Sequence, residues 1–450
     1  MDKFCRAAVR LCVAVSLLLL STDGLGAEGD EADTQKQLRQ LQQQNELLQQ
    51  QMRRQQELID ELNRKVTNLQ TSDNNRKPEP GSPEAKAEDE AAGRSRSSSA
   101  FSLGKVHLGG EGAVGLFHSQ PQGQFPNAEF RVDEAKLFVE APIWGEVYFF
   151  SEINLFTREE GGPSLWAGEL YLDAENVSRL WDQDRQLNLR IGRLDIPFGE
   201  EYLSRDAIDN PLISHSLMDL WGVDEGVELY GAFNKFSYVA AVQNGGHNGL
   251  RDHNADKSVA VRLALDPVRW LHLSVSGMRT GELDVQKDRV SELWLGPGLV
   301  YSLGSANTTV FEANLLQGDV HLKFPRTTLK ASGGVLQYDD NDPSANNRRE
   351  VYYYYVEGVQ KLYRGLYGAA RWSQIFAHRG FPVAGNGNPG TYAFGSRLAE
   401  NLWLLSLGLG YRCSDQLVLK AEYSFQRGED VDGTTRQHED LFAATAAFAF

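Results

Sequence analysis

The chain has 450 residues, enough for two or three soluble domains or for one large barrel with appendages. Its 61 acidic residues outnumber 45 basic ones, a formal charge of -16 that argues against a nucleic-acid partner. Of the three cysteines, Cys5 and Cys12 fall at the very start and only Cys413 remains further on, so neither an intramolecular disulfide nor a cysteine metal site is expected.

In chain order, Lys3, Arg6 and Arg10 precede the apolar run Leu11 to Leu20, and small residues follow at Gly24, Gly26 and Ala27. That pattern predicts a secretory signal peptide over residues 1–27. Neither early cysteine sits at the expected cleavage point, which argues against a lipid-anchored N-terminus. No later segment offers roughly 18 unbroken apolar residues, so any membrane span must be built from strands.

Residues 28–70 are predicted to form an α-helical coiled coil. One core position recurs at Leu38, Asn45, Met52, Ile59 and Val66, the other at Leu41, Leu48, Gln55, Leu62 and Leu69. β-Branched residues at one position with Leu at the other favour two strands, and Asn45 would fix register. Residues 71–100, rich in Pro, Glu, Ser, Lys and Arg, cannot bury a core and read as a disordered linker.

From Phe101 to the end, apolar and polar residues alternate. Val259, Val261, Leu263 and Leu265 interleave with Ala260, Arg262 and Ala264, and Leu417, Leu419, Ala421 and Tyr423 with Val418, Lys420 and Glu422. Such segments of about ten residues, separated by turn residues, number 16 to 18. The uncertain region runs from Glu292 to Tyr338, where Thr308 to Phe324 reads as one strand or as a hairpin. Connections alternate in length. Short ones fall at Ala141–Gly145, Asn234, Asp266–Arg269 and Cys413–Asp415, long ones at Gly245–Asp256, Asp339–Glu350 and His378–Asn401. The expectation for residues 101–450 is all-β: a 16-stranded, or 18-stranded, antiparallel transmembrane β-barrel in contact with outer-membrane lipid. Trp144, Trp166, Trp270, Tyr363 and Trp403 are expected to supply its interfacial girdles. Cys413, closing a strand, reads as a packing residue. Phe442, Ala444, Ala446, Phe448 and Phe450 share one strand face, and a last strand ending on Phe450 reads as a signal to the outer-membrane barrel assembly machinery.

Between two strands lies Pro197 to Asp224, longer than a hairpin needs and too apolar for disorder, with Leu212, Ile213, Leu217, Met218, Leu220 and Trp221. It is expected to fold inward and narrow the bore. Its candidate constriction residues are Glu200, Glu201, Arg205, Asp206, Asp209, His215 and Asp219. The alternation places Glu134, Lys136, Glu140, Glu152, Glu169, Asp173, Arg190, Glu228, Arg262, Glu357, Arg371, Arg412, Lys420 and Glu422 on the lumen side.

The run Ile191-Gly192-Arg193-Leu194-Asp195-Ile196-Pro197-Phe198-Gly199, then Asp209-Asn210-Pro211-Leu212, Trp221-Gly222 and Glu225-Gly226-Val227-Glu228, resembles the phosphate-selective porin O/P family. Tyr352 to Gln374, a Tyr-rich strand followed by Ala-Ala-Arg-Trp-Ser-Gln, resembles that family too. The resemblance implies a 16-stranded barrel, trimeric, passing small solutes across the bacterial outer membrane, with the coil and linker in the periplasm outside the match. The expected trimer conflicts with the two-stranded preference of the coil.

Phosphate selection needs basic side chains lining the bore. Beyond residue 100 there are 31 basic against 45 acidic residues, and Arg205 is the only basic residue in the long loop. A general or mildly cation-preferring pore fits these residues better. The competing reading is a sealed barrel that anchors the coil to the cell wall.

Other signals carry less. Gly110-Glu111-Gly112-Ala113-Val114-Gly115 matches a dinucleotide fingerprint but lacks the following helix, so small residues on a barrel strand explain it. Asp339-Asp340-Asn341-Asp342 lacks the Gly and closing Glu of a calcium loop. His215, His247 and His253 show no metal-ligand spacing, and Ser214-His215-Ser216 are sequence neighbours rather than a catalytic arrangement. Neither a cofactor nor an enzymatic activity is expected.

Overall fold

The computed structural model describes residues 101–103, 105–157, 163–220, 222–245, 252, 254–284, 310–339, 348–378, 394, 399–430 and 432–450. The predicted signal peptide, coiled coil and linker lie outside the described residues, as do Trp221, His247, His253 and Asp340–Asp342.

Strands follow one another along the chain. They are β1 (Phe101–Leu103), β2 (Val106–Ser119), β3 (Glu129–Trp144), β4 (Val147–Phe156), β5 (Pro163–Ala174), β6 (Asn188–Asp195), β7 (Val223–Phe233), β8 (Phe236–Gln243) and β9 (Ser258–Val268). The second half holds β10 (Leu271–Asp284), β11 (Val310–Lys323), β12 (Thr327–Asp339), β13 (Arg348–Tyr363), β14 (Leu366–His378), β15 (Ala399–Ser414), β16 (Leu417–Asp430), β17 (Thr435–Arg436) and β18 (Leu441–Ala449). Each long strand pairs antiparallel with the next, and β18 closes the ring on β2. The three residues of β1 pair antiparallel with the start of β2 and the two of β17 with the end of β16, both in line with β18, so they add no strand to the ring and the barrel is 16-stranded. Val310–Lys323 is a single strand, which removes the 18-stranded alternative.

The alternation decides which face meets which solvent. Along β9 the inward residues Ala260, Arg262 and Ala264 are buried, whereas Val259, Leu263 and Leu265 are exposed on the outside. The same pattern exposes Leu407, Leu409 and Tyr411 on β15 and Leu419 and Tyr423 on β16. A continuous apolar exterior over a polar interior is the inverse of a soluble β-protein and is what a lipid-facing barrel requires. Aromatic side chains ring the short-turn rim: Trp144, Trp270, Phe324 and Tyr363 are exposed, and Trp270 stacks on Phe324 with ring centroids 6.3 Å apart. Trp403 stacks on Trp372 further along the outer surface. Trp166 does not join the girdle. Its partner across the ladder is the buried, lumen-side Asn154, so bulges in the pairing of β4 with β5 turn the indole inward.

The short connections are tighter than their sequences suggest. Ala141–Trp144 belongs to β3, and the turn itself is Gly145–Glu146, where Gly145 takes a φ of 55° that a side chain would resist. Asn234 fills the equivalent left-handed position between β7 and β8. Cys413 is exposed beside the turn after β15 rather than packed, because a register shift between Arg412 and Ser414 twists that strand end.

The glycine run on β2 has a packing cause. A Cβ at Gly110 would lie 2.5 Å from the ring of Phe450, and one at Gly112 would lie 3.0 Å from Phe448. The last strand therefore lays its aromatic rings over glycines of the first, while Gly110 and Phe450 exchange two backbone hydrogen bonds. If the outer face lies in hydrocarbon, Leu407→Arg should cost about 2–4 kcal/mol of folding stability in vesicles, measured by urea titration. A negligible cost would place that face in water.

Candidate functional site

Between β6 and β7, residues 196–222 form the third connection on the long-loop side, here called L3. Its bounds are narrower than expected, since Val223 and Asp224 already pair with Asp195 and Leu194 in the sheet. A loop of this length carries many backbone donors and acceptors, and burying them requires partners. The inward faces of the strands supply those partners.

Lys420 on β16 donates from Nζ to three L3 carbonyls, those of Ala207 at 2.7 Å, Asn210 at 3.1 Å and Leu212 at 2.8 Å. Two residues along on the same face, Glu422 accepts from the backbone N–H groups of Ile213 and Ser214 and from the Ser214 hydroxyl. Arg371 on β14 donates to the Ser214 carbonyl at 2.8 Å and the Asn210 side chain at 3.1 Å while paired with Glu357. Arg412 reaches the Ile208 carbonyl and Tyr367 the Pro211 carbonyl. On β3, Glu134 accepts from the Ala207 N–H at 2.7 Å, and Lys136 pairs with Asp206 at 2.7 Å and with Glu111 at 3.0 Å. At the loop's start, the Gly199 N–H donates to Ser276, and Glu200 meets Arg262 at 2.9 Å.

Apolar packing reinforces these bonds. Ile196, Phe198, Leu217, Met218 and Leu220 share a core with Met278, Phe311, Leu315, Tyr353, Tyr355, Ile375, Leu402 and Leu404 of the wall. Ile213 packs separately with Phe117, Phe125 and Leu441.

Inside L3, Arg205 pairs with Asp219 at 3.2 Å, and His215 joins Asp219 through Nδ1 at 2.8 Å and the Arg205 carbonyl through Nε2 at 3.0 Å. Burial pushes the Asp219 carboxyl up, but Arg205 and His215 outweigh it and hold it well below the usual carboxylate range. Asp206 is likewise opposed by burial yet held at about 2 by the Lys136 ammonium. Glu201 differs. Burial and then the Asp219 charge push it up to about 7, although it accepts from the Ser216 N–H and hydroxyl.

The fourteen residues expected to line the lumen all lie on barrel strands. Glu134, Glu169, Asp173, Arg190, Glu228, Arg262, Glu357, Arg371, Lys420 and Glu422 are buried, and Lys136, Glu140, Glu152 and Arg412 are half-buried. They do not form one site. Lys136, Glu134, Arg262, Arg371, Arg412, Lys420 and Glu422 bind L3, whereas Arg190 forms a separate cluster on β5–β7, pairing with Asp173 at 2.9 Å and Glu228 at 3.0 Å beneath Tyr230. Of the seven L3 candidates, Asp209 is exposed and Asp206 half-exposed, and the others are buried. Ser214 and His215 turn to different partners, Glu422 and Asp219. Sequence reasoning missed Glu111, His272, Asp319, His321 and Lys330. Each lies on a strand face whose parity was legible, but without a neighbouring motif to single it out.

No protein-family model matches the chain, and no curated protein matches it. Solved structures do. In-vitro folded OmpT, an outer membrane protein of Vibrio cholerae, superposes with a TM-score of 0.51 at 10% identity, over 79% of this chain and 100% of that one. The fold is that of a porin barrel. A trimer form of the same OmpT gives 0.50 at 9% identity, over 78% and 100%. The anion-selective porin from Comamonas acidovorans gives 0.50 at 10% identity, over 77% and 99%. Identities this low establish shared architecture and leave solute and selectivity to the residues themselves.

The perturbed Glu201 predicts a pH effect. Its folded value, about 7, lies above its unfolded value of 4.5, so its contribution to L3 docking is fully present below pH 4.5 and lost as pH rises through 7. Protease accessibility of L3 in the folded protein should therefore increase between pH 4.5 and 7. Glu201→Gln should flatten that rise, and an unchanged profile in the variant would assign the effect to another group.

Proposed function

We propose that the chain is an outer-membrane porin that lets small hydrophilic solutes or ions diffuse passively through a bore narrowed by L3. The observation that carries this reading is the set of bonds from Lys420, Glu422, Arg371, Lys136 and Glu134 to L3, which ties a loop that leaves the wall between β6 and β7 to inward faces of β14 and β16, about half-way round the ring, and of β3. The closed barrel with an apolar exterior supports the outer-membrane location. The coiled coil predicted for residues 28–70 is then placed in the periplasm, within reach of the cell wall, and Phe450 is assigned to recognition by the barrel assembly machinery. A homotrimer accords with the resemblance to the phosphate-selective porin O/P family and with the trimer form of OmpT. Catalysis forms no part of this reading.

Phosphate specificity does not fit the inward cations. Lys420, Arg371 and Arg412 donate to L3 carbonyls, and Lys136, Arg190 and Arg262 are paired with carboxylates. They hold the loop and the wall together rather than offering a ladder to a passing anion. Of the candidate residues that are half-buried or exposed, Lys136 and Arg412 are engaged by Asp206 and the Ile208 carbonyl, whereas the acidic Asp209, Glu140 and Glu152 have no cation bonded to them among the described residues. A general or mildly cation-preferring pore follows.

Reversal potentials in a KCl gradient across planar bilayers should favour K⁺ over Cl⁻. Joint replacement of Glu200, Glu201 and Asp206 by neutral isosteres should move that ratio toward Cl⁻. Lys420→Met strips three carbonyls of their donor, a cost of about 1–3 kcal/mol for each acceptor left unsatisfied, and should raise conductance and open-channel noise. Folded protein that inserts without conductance steps would refute the pore.

A further inference from the structure

A cluster at the start of L3 has the composition of a metal site. His272 on β10 and His321 on β11 are directly opposite each other in the antiparallel ladder, on its inward face, with ring centroids 5.4 Å apart. Cross-strand neighbours hold their Cβ atoms about 5 Å apart, close enough for two imidazoles to share one ion. Glu200 enters from L3 to the same point, its Oε1 3.2 Å from His272 Nε2. One donor atom from each of Glu200, His272 and His321 lies within 4.8 Å of the others, and all three residues are buried.

We propose that Glu200, His272 and His321 bind a divalent transition metal, zinc in the first instance, which pins the start of L3 to the β10–β11 wall. Two further observations point the same way. His321 is 8% exposed, and its Nε2 is buried with no hydrogen-bond partner among the described residues. A bare imidazole nitrogen inside a polar lumen is costly unless something occupies it. His272 Nδ1 lies 3.0 Å from Asp266 Oδ1, the carboxylate–imidazole pairing that in metal centres fixes the tautomer and leaves Nε2 for the ion.

The chemistry selects the metal. Two imidazoles and one carboxylate suit zinc better than calcium or magnesium, which want more oxygen ligands. Three protein ligands leave a fourth position for water or a solute anion. The neighbouring cations have carboxylate partners: Arg262 bonds Glu200 Oε1 at 2.9 Å and so orients the ligand, and Lys330 lies 3.6 Å from Glu357. Asp319, one pair further along the same ladder, is bonded to Ser274, Gln317 and Ser332. It supports the strand without entering the site.

The site stands independently of the pore reading, and the test keeps the two apart. Untagged full-length protein, folded in detergent and stripped with chelator, is titrated with ZnCl₂ by calorimetry and equilibrium dialysis. One saturable zinc per chain is expected. His321→Gln should weaken it at least about tenfold, and Asp266→Asn by about ten- to a hundredfold through loss of orientation. Heat-shifted gel mobility identifies variants that remain folded. Planar-bilayer recordings with and without zinc then report whether pinning L3 changes conductance. Stoichiometric zinc binding lost in His321→Gln supports the site even where no conductance is seen. Absence of saturable binding, or binding indifferent to His321→Gln and Asp266→Asn, overturns it even where the channel conducts.

Discussion

The structure depends on how L3 satisfies its backbone. Residues placed inside a barrel lose water as a partner, and an unpaired buried amide or carbonyl costs about 1–3 kcal/mol. Lys420 and Glu422 meet this demand as a pair, the ammonium gathering three carbonyls and the carboxylate gathering two N–H groups and a hydroxyl. On β14, Arg371 serves the Ser214 carbonyl and the Asn210 side chain while Glu357 holds its guanidinium. Because each charge is hydrogen-bonded to the loop, and Arg371 is also paired with Glu357, none is left as an isolated ion in a low-dielectric interior. The loop conformation and the wall sequence are therefore one design, and altering either leaves charges unpaired in the other.

This constraint also explains why residue counting alone gives a distorted picture of selectivity. Inward basic residues look like anion ligands until their partners are known. The acceptor is a loop carbonyl for Lys420 and Arg412, a wall carboxylate for Arg190 and the loop carboxylate of Glu200 for Arg262. What the lumen presents to a solute is the remainder after these bonds, and that remainder includes the exposed Asp209 and the half-buried Glu140.

The barrel was legible in the sequence because its rule is strictly local: period two sets the face, and connection length sets the end. Arg262 between Val261 and Leu263 could be assigned inward without any tertiary knowledge, and so could Lys420 between Leu419 and Ala421. Where the local rule broke, so did the expectation. Trp166 turned inward because bulges shift parity, and Cys413 turned outward at another register shift. Long-range pairing was not legible at all. His272 and His321 stand 49 positions apart and become neighbours only through the β10–β11 register, while Glu200 reaches them from a third element. The glycine run on β2 was assigned to a strand, but its purpose, room for Phe448 and Phe450, needed the closure of the ring.

The central claim is that L3 lies bound against the lumen wall, and a cross-link tests it most directly. The hydroxyls of Ser214 in L3 and Ser406 on β15 are 2.9 Å apart. In a chain whose native cysteines are replaced by serine, Ser214→Cys with Ser406→Cys should form a disulfide under mild oxidation, since paired cysteines bridge when their side chains converge at this range. Each single variant should remain free. Quantitative bridging, read by mass spectrometry after proteolysis, is the predicted result; two thiols that both stay open to alkylation in the folded protein would contradict the account.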